Sequence, residues 1–215
     1  EAQVAASTLW SVGVEYQDHL STGGDRFGMP LFYADGTRTH FSPSTNLSPD
    51  WGFHARENLS VFSALEHYFD NGWRVKLDLE HSRREYDSVM PSTALAGDWY
   101  DVDTLVAYRW SGKPEQNSVN LHAVGNYQLF GRQHELVLGG SYYQLEEKGR
   151  NYNEGEEPID DLEALIRTGK FKRIDVSPSG GGSRTQEEQS GAYIATRLNP
   201  VDRVSVILGS RISNW

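Results

Sequence analysis

Hydrophobic and polar residues alternate along this chain in short runs, and the charges keep to one side of each run. Asn58–His81 is the clearest case. Leu59, Val61, Ser63 and Leu65 share one parity, Trp73, Val75, Leu77 and Leu79 the matching one, and Glu66, Arg74, Lys76, Asp78 and Glu80 lie on the other. Successive strand residues point to opposite sides of a sheet, so this segment predicts a hairpin with one apolar wall and one ionised wall. Asp70-Asn71-Gly72 is its turn. With Gly72 in the left-handed region, Phe69 pairs with Trp73, Leu65 faces Leu77 and Glu66 faces Lys76. A slip of one residue would set every leucine against a charge. A wall this polar does not suit the underside of an ordinary core. It fits a membrane barrel with a wet lumen, although this hairpin alone is equally compatible with a soluble β protein.

The same alternation predicts about seven strands. Besides the two of the hairpin, they are Trp10–Gln17, Ser118–Tyr127, Glu135–Tyr142, Gly191–Leu198 and Val204–Ile212. None of the proposed outward positions in these runs is charged. That matters because Arg or Lys at the midplane of a barrel's lipid face costs about 2–4 kcal/mol. Trp10, Tyr16, Phe69, Trp73, Tyr127 and Tyr142 lie near strand ends, where aromatic girdles form; each would also suit a sandwich core. Connection lengths separate the two. Asp70–Gly72, Phe130–Gln133 and Pro200–Asp202 are tight, whereas Asp18–Trp51, Asp87–Asn117 and Glu146–Glu188 are long excursions. Long loops confined to one end are the habit of outer-membrane barrels. Within the excursions, Leu105–Trp110 reads as a strand extension above the bilayer, Asp160–Arg167 has helical spacing, and Pro178–Ser183 reads as loop.

Composition changes the picture in three ways. Cysteine is absent from the 215 residues, which excludes a disulfide scaffold and Cys-based zinc sites. A formal net charge of −10 argues against a nucleic-acid footprint. Mean hydropathy is −0.61, and no run approaches the roughly 18–20 apolar residues of a membrane helix, yet barrels escape that test because half of each strand faces water. Glu1 opens without a basic region and apolar stretch of a leader, so a mature, trimmed or partial chain is expected.

Catalytic patterns are weak. The seven histidines are dispersed without metal-ligand spacing, and the expected register sets His67 and His81 opposite Val75 and Val61. Gly180-Gly181-Gly182-Ser183-Arg184 lacks the lysine of a phosphate loop. Glu15, Glu66, Asp78 and Glu80 supply carboxylates that a glycosidase could use. A lumen lining, shared with Arg74, Lys76, Arg197 and Arg211, is the better account. Neither an enzyme nor a resident metal is expected.

Several segments resemble TonB-dependent siderophore receptors of the ferripyoverdine and ferric-hydroxamate group. They are Val61-Phe-Ser-Ala-Leu-Glu-His67 with Asp70-Asn-Gly-Trp73, Phe130-Gly-Arg-Gln-His-Glu-Leu-Val-Leu-Gly-Gly140, and Gly191–Asn199 running into Arg203–Arg211. Asp25–Phe32 and Gly97-Asp-Trp99 are weaker echoes. The resemblance implies an all-β, antiparallel, up-and-down barrel in the bacterial outer membrane that imports a ferric siderophore. It also implies energy from TonB, a gating plug, and lipid as surroundings. Its iron arrives as cargo, so no cofactor is expected. Residues 1–215 are then one barrel segment without plug, energy-coupling box or closing strand, since such transporters need about 22 strands. A porin or adhesion barrel segment and a soluble β-sandwich ligand-binding module are the alternatives. A chelate that already saturates its iron asks the protein for aromatic faces and hydrogen-bond donors. Trp99, Tyr100, Tyr142 and Tyr143 are the candidates where strands enter long loops; parity also turns Tyr142 outward.

Overall fold

A computed structural model describes residues 2–23, 36–38, 40, 42–44, 49–92, 104–160, 164, 168, 170–178 and 182–215. Among the described residues eight strands follow one another in a single sheet: β1 (Ala2–Ala5), β2 (Thr8–Thr22), β3 (Phe53–Tyr68), β4 (Arg74–Ser92), β5 (Thr104–Leu129), β6 (Arg132–Pro158), β7 (Ser183–Val201) and β8 (Val204–Asn214). Each is antiparallel to the next, in the order β1 to β8. β1 and β8 are not paired with one another, so the sheet is an open arc.

The central hairpin has the expected register. Leu65 pairs with Leu77, Glu66 with Lys76 and His67 with Val75. Gly72 has φ of 80°, and the Phe69 amide donates to the Trp73 carbonyl at 2.8 Å. Between β5 and β6 the turn is only Phe130-Gly131, both at positive φ (53° and 73°), as a two-residue hairpin turn of the primed type requires.

Following the pairing from strand to strand puts Val12, Val61, Leu77, Leu121, Leu138, Ile194 and Leu208 on one face, here the outward one. Among the described residues no second layer covers it there: Leu65 is 42% exposed and Leu121 49%. On β5 the outward apolar stretch from Val119 to Leu129 is about 34 Å of extended chain, which at a tilt of about 45° spans about 24 Å, the height of a lipid-facing band.

Above the band the same face becomes ionic. Arg83 meets Glu115 at 3.4 Å, Lys113 meets Glu85 at 2.7 Å, and Glu146 is held by Lys148 and Arg184. This explains why the strands outrun their expected ends: β6 continues to Pro158 rather than Tyr142, and β2 to Thr22 rather than Gln17. Strand pairing persists where the contrast between faces, which marked the strands in the sequence, has ended. The predicted extension at Leu105–Trp110 lies within β5. Two further expectations change. The strands number eight rather than seven, because Ala2–Ala5 pairs with β2, and the last turn is Asp202-Arg203, with Pro200 inside the end of β7. Most of Asp160–Arg167, all of Asp25–Phe32 and part of Pro178–Ser183 lie outside the described residues.

Among the described residues a small buried core forms at the rim. Val89, Leu105, Ala107, Ile174 and Val176 cluster there, with Trp51, Phe53, Ile159 and Phe171 packed against them. Residues 170–178 cross the outward face of β4–β6 to complete it. Arg109 forks onto Asp87 at 3.1 and 2.8 Å and donates to the Val176 carbonyl at 3.0 Å. Asn153 donates to the Ser177 carbonyl at 2.8 Å, and Lys172 meets Glu157 at 2.8 Å.

Candidate functional site

On the inward face, just above the level of the apolar band, five strands line a cavity of about 840 Å³. β2 brings Gln17 and His19; β3 brings His54, Arg56 and Asn58; β4 brings Arg84 and Tyr86. From β5 come Trp110 and Pro114, and from β6 Leu145, Glu147 and Arg150. All follow the inward parity, but Arg150 does so only because of an irregularity. The register between β5 and β6 shifts by one residue across Lys148–Arg150, where Gly149 sits at φ 68°. Such a bulge inserts one residue and turns those after it to the other face. A residue with a side chain would be strained at that φ.

Tyr86 and Glu147 tie β4 to β6 over the top of Gly112. The Tyr86 hydroxyl donates to Glu147 Oε1 at 2.5 Å. A Cβ on Gly112 would lie 2.5 Å from that carboxylate oxygen and 2.6 Å from the tyrosine oxygen, so only glycine leaves room. Burial pushes the Tyr86 phenol up to about 12, and donation to Glu147 adds to the rise. It is a fixed donor. His54 is moved the other way: burial lowers its pKa first, then Arg56 and His19 nearby. Its Nδ1 is hydrogen-bonded to the fully buried Ser88 hydroxyl. Tyr108 and Tyr152, on the same inward parity, approach with ring centroids 6.2 Å apart. The hydroxyl that does stand beside a base, Ser88 on His54, is fully buried and out of reach of a guest. The arrangement offers aromatic faces, donors and cations to a bulky polar guest.

Residues 3–215 match the family profile described as TonB dependent receptor-like, beta-barrel. The chain belongs to this family. It is 31% identical, over its whole length, to the ferric-pyoverdine BN7/BN8 receptor of Pseudomonas putida and 30% to the ferripyoverdine receptor of Pseudomonas aeruginosa. It spans 27% of each of these curated relatives. The crystal structure of the ferripyoverdine receptor of the outer membrane of Pseudomonas aeruginosa bound to ferripyoverdine superposes with a TM-score of 0.82 at 29% identity, covering 98% of this chain and 28% of that one. The soluble sandwich alternative is thereby set aside, and the chain is a segment of an outer-membrane receptor barrel. Barrels of this kind set their apolar band against lipid and their polar face toward the lumen.

Glu15, Glu66, Arg74, Lys76, Asp78, Glu80, Arg197 and Arg211 all follow the inward parity of this receptor segment. Glu66 meets Arg74 at 3.2 Å and Lys76 meets Asp78 at 2.7 Å. Of the four aromatic candidates, Trp99 and Tyr100 lie outside the described residues. Tyr143 is inward, one strand step below Leu145 of the cavity, whereas Tyr142 stands on the lipid face, paired with Val119 and Ser190. The sequence reading missed Tyr86, Trp110 and the three arginines. Carrying the parity of Glu80 onward along β4 would have found Arg84 and Tyr86. Nothing in the sequence pattern announced the bulge that turns Arg150 inward.

Proposed function

We propose that this chain is part of the wall and outer mouth of a receptor that binds a ferric siderophore of the pyoverdine class and imports it with TonB-derived energy. The cavity on the lumen wall carries this reading: a concave space large enough for a drug-sized ligand, flanked by Trp110, Tyr86 and arginines, above the lipid band. The relatives named for ferric pyoverdine support the ligand class. Iron enters already chelated, so the wall contributes stacking faces and donors rather than metal ligands. Binding and passage, not catalysis, is the task. The plug, the remaining strands and the contact with TonB belong to the rest of the receptor. Tyr143 lines the path below the mouth, and Trp99 and Tyr100 remain ligand candidates from the connection between β4 and β5.

The test is tryptophan quenching of the full-length receptor in detergent by a panel of ferripyoverdines, a ferric tris-hydroxamate and the iron-free forms. Saturable quenching with Kd below about 1 μM by at least one ferripyoverdine is expected, reduced by Trp110→Leu. Absence of binding across the panel would refute the reading.

A further inference from the structure

Three arginines gather around the mouth without an ion pair. Ten ion pairs join Lys or Arg to carboxylates among the described residues, yet none includes Arg56, Arg84 or Arg150. The contrast is sharpest between neighbours. Arg83, turned outward, pairs with Glu115; Arg84, turned inward, donates only to the Gln116 amide oxygen at 3.3 Å. The inward acid at this cavity, Glu147, already accepts from Tyr86. Glu57 and Glu85 also border the space, but from the outward parity, where Glu85 meets Lys113. In a chain of net charge −10, three guanidinium groups left open around one concavity form a local positive field.

We propose, resting on the siderophore reading above, that Arg56, Arg84 and Arg150 make this mouth selective for a ferric chelate bearing free carboxylates outside the iron's coordination shell. A guanidinium stays protonated throughout the physiological range and presents a planar fork that matches a carboxylate in two parallel hydrogen bonds. A concave wall of one sign concentrates ions of the other. A neutral chelate entering here would strip water from three cations and return nothing for it. A carboxylate arm restores those hydrogen bonds.

The experiment uses the full-length receptor and the ferripyoverdine that binds most tightly in the panel, before and after conversion of its free carboxylates to carboxamides. Amidation is expected to weaken binding at low ionic strength by about tenfold, at about three- to fivefold per lost charge-assisted fork. The triple variant Arg56→Gln/Arg84→Gln/Arg150→Gln should bind the untreated chelate as weakly as wild type binds the amidated one, should not distinguish the two, and should lose the salt dependence of binding. The corresponding triple lysine variant retains the charge, so it should keep the salt dependence and serves as the folding control. Equal binding of both chelates by wild type would overturn the proposal. So would an equal loss for both in the glutamine variant, which would assign the arginines to the packing of the lumen. If wild type binds no ferric chelate at all, the siderophore reading itself has failed, a result separate from either of these.

Discussion

Leu121 and Leu105 lie on one strand, on one face, and are the same residue, yet Leu121 is 49% exposed and Leu105 only 3%. The first belongs to the outward apolar band, which in barrels of this family is covered by bilayer. The second lies at the rim, where the cover is residues 170–178 of the chain itself. An outward apolar residue in this fold therefore has two possible partners, and height along the strand decides between them. In the band, burial is supplied by a solvent that fills any shape. At the rim, water would be the neighbour, so the protein must build a packed lid and pin it with Arg109 and Asp87.

The largest expected break in this comparison is Leu121→Arg. It should destabilise the full-length receptor by about 2–4 kcal/mol, as expected for a cation near the midplane of the lipid face, read from denaturant unfolding out of phospholipid vesicles. A cost below about 1 kcal/mol would place Leu121 outside the hydrocarbon. Next is Leu105→Ala, which opens a cavity in a packed core and should cost about 2–3 kcal/mol. Its signature is local: faster hydrogen exchange in 170–178, with the band unchanged. Leu121→Ala should cost less, since lipid chains refill the space.

Asp87→Asn sharpens the comparison further. It removes the charge from the fork that orients Arg109 and should loosen 170–178 by about 1–2 kcal/mol, seen as earlier proteolytic cutting there. The smallest effect concerns pH at the inward rim. Burial and neighbouring cations hold the His54 pKa below its ordinary value, so the unfolded chain takes up this proton at higher pH than the folded one. The contribution is present above the unfolded pKa of about 6.5 and declines as pH falls through it. A small loss, abolished in His54→Gln, should appear when rim stability is followed by hydrogen exchange across that range.

Alternation alone was enough to locate the spanning strands, because lipid on one side and water on the other force opposite chemistry onto successive residues. It also settled the hairpin register at Leu65–Leu77, since any slip would place Lys76 or Asp78 in hydrocarbon. The same logic failed above the bilayer. There both faces meet water, Arg83 and Arg84 look alike in the sequence, and strand pairing runs on through backbone hydrogen bonds that leave no trace in side-chain polarity. For that reason the pattern sets Glu147 in a long connection, Trp110 in a strand extension within another, and Tyr86 beyond the end of the predicted hairpin.

What the one-dimensional order determined about this protein is the sidedness of the membrane band and the place of the turns at Asp70–Gly72 and Phe130-Gly131, both local consequences of solvent on each face. Tertiary structure alone decided which residues share the mouth and what covers the rim. Arg56, Arg84 and Arg150 come from three strands and meet through pairing across long connections, with Arg150 admitted by a one-residue bulge at Gly149. Ile174 and Val176 reach Leu105 from a segment far along the chain. Contacts of that kind depend on distance in space, and a pattern with a period of two residues carries no information about it.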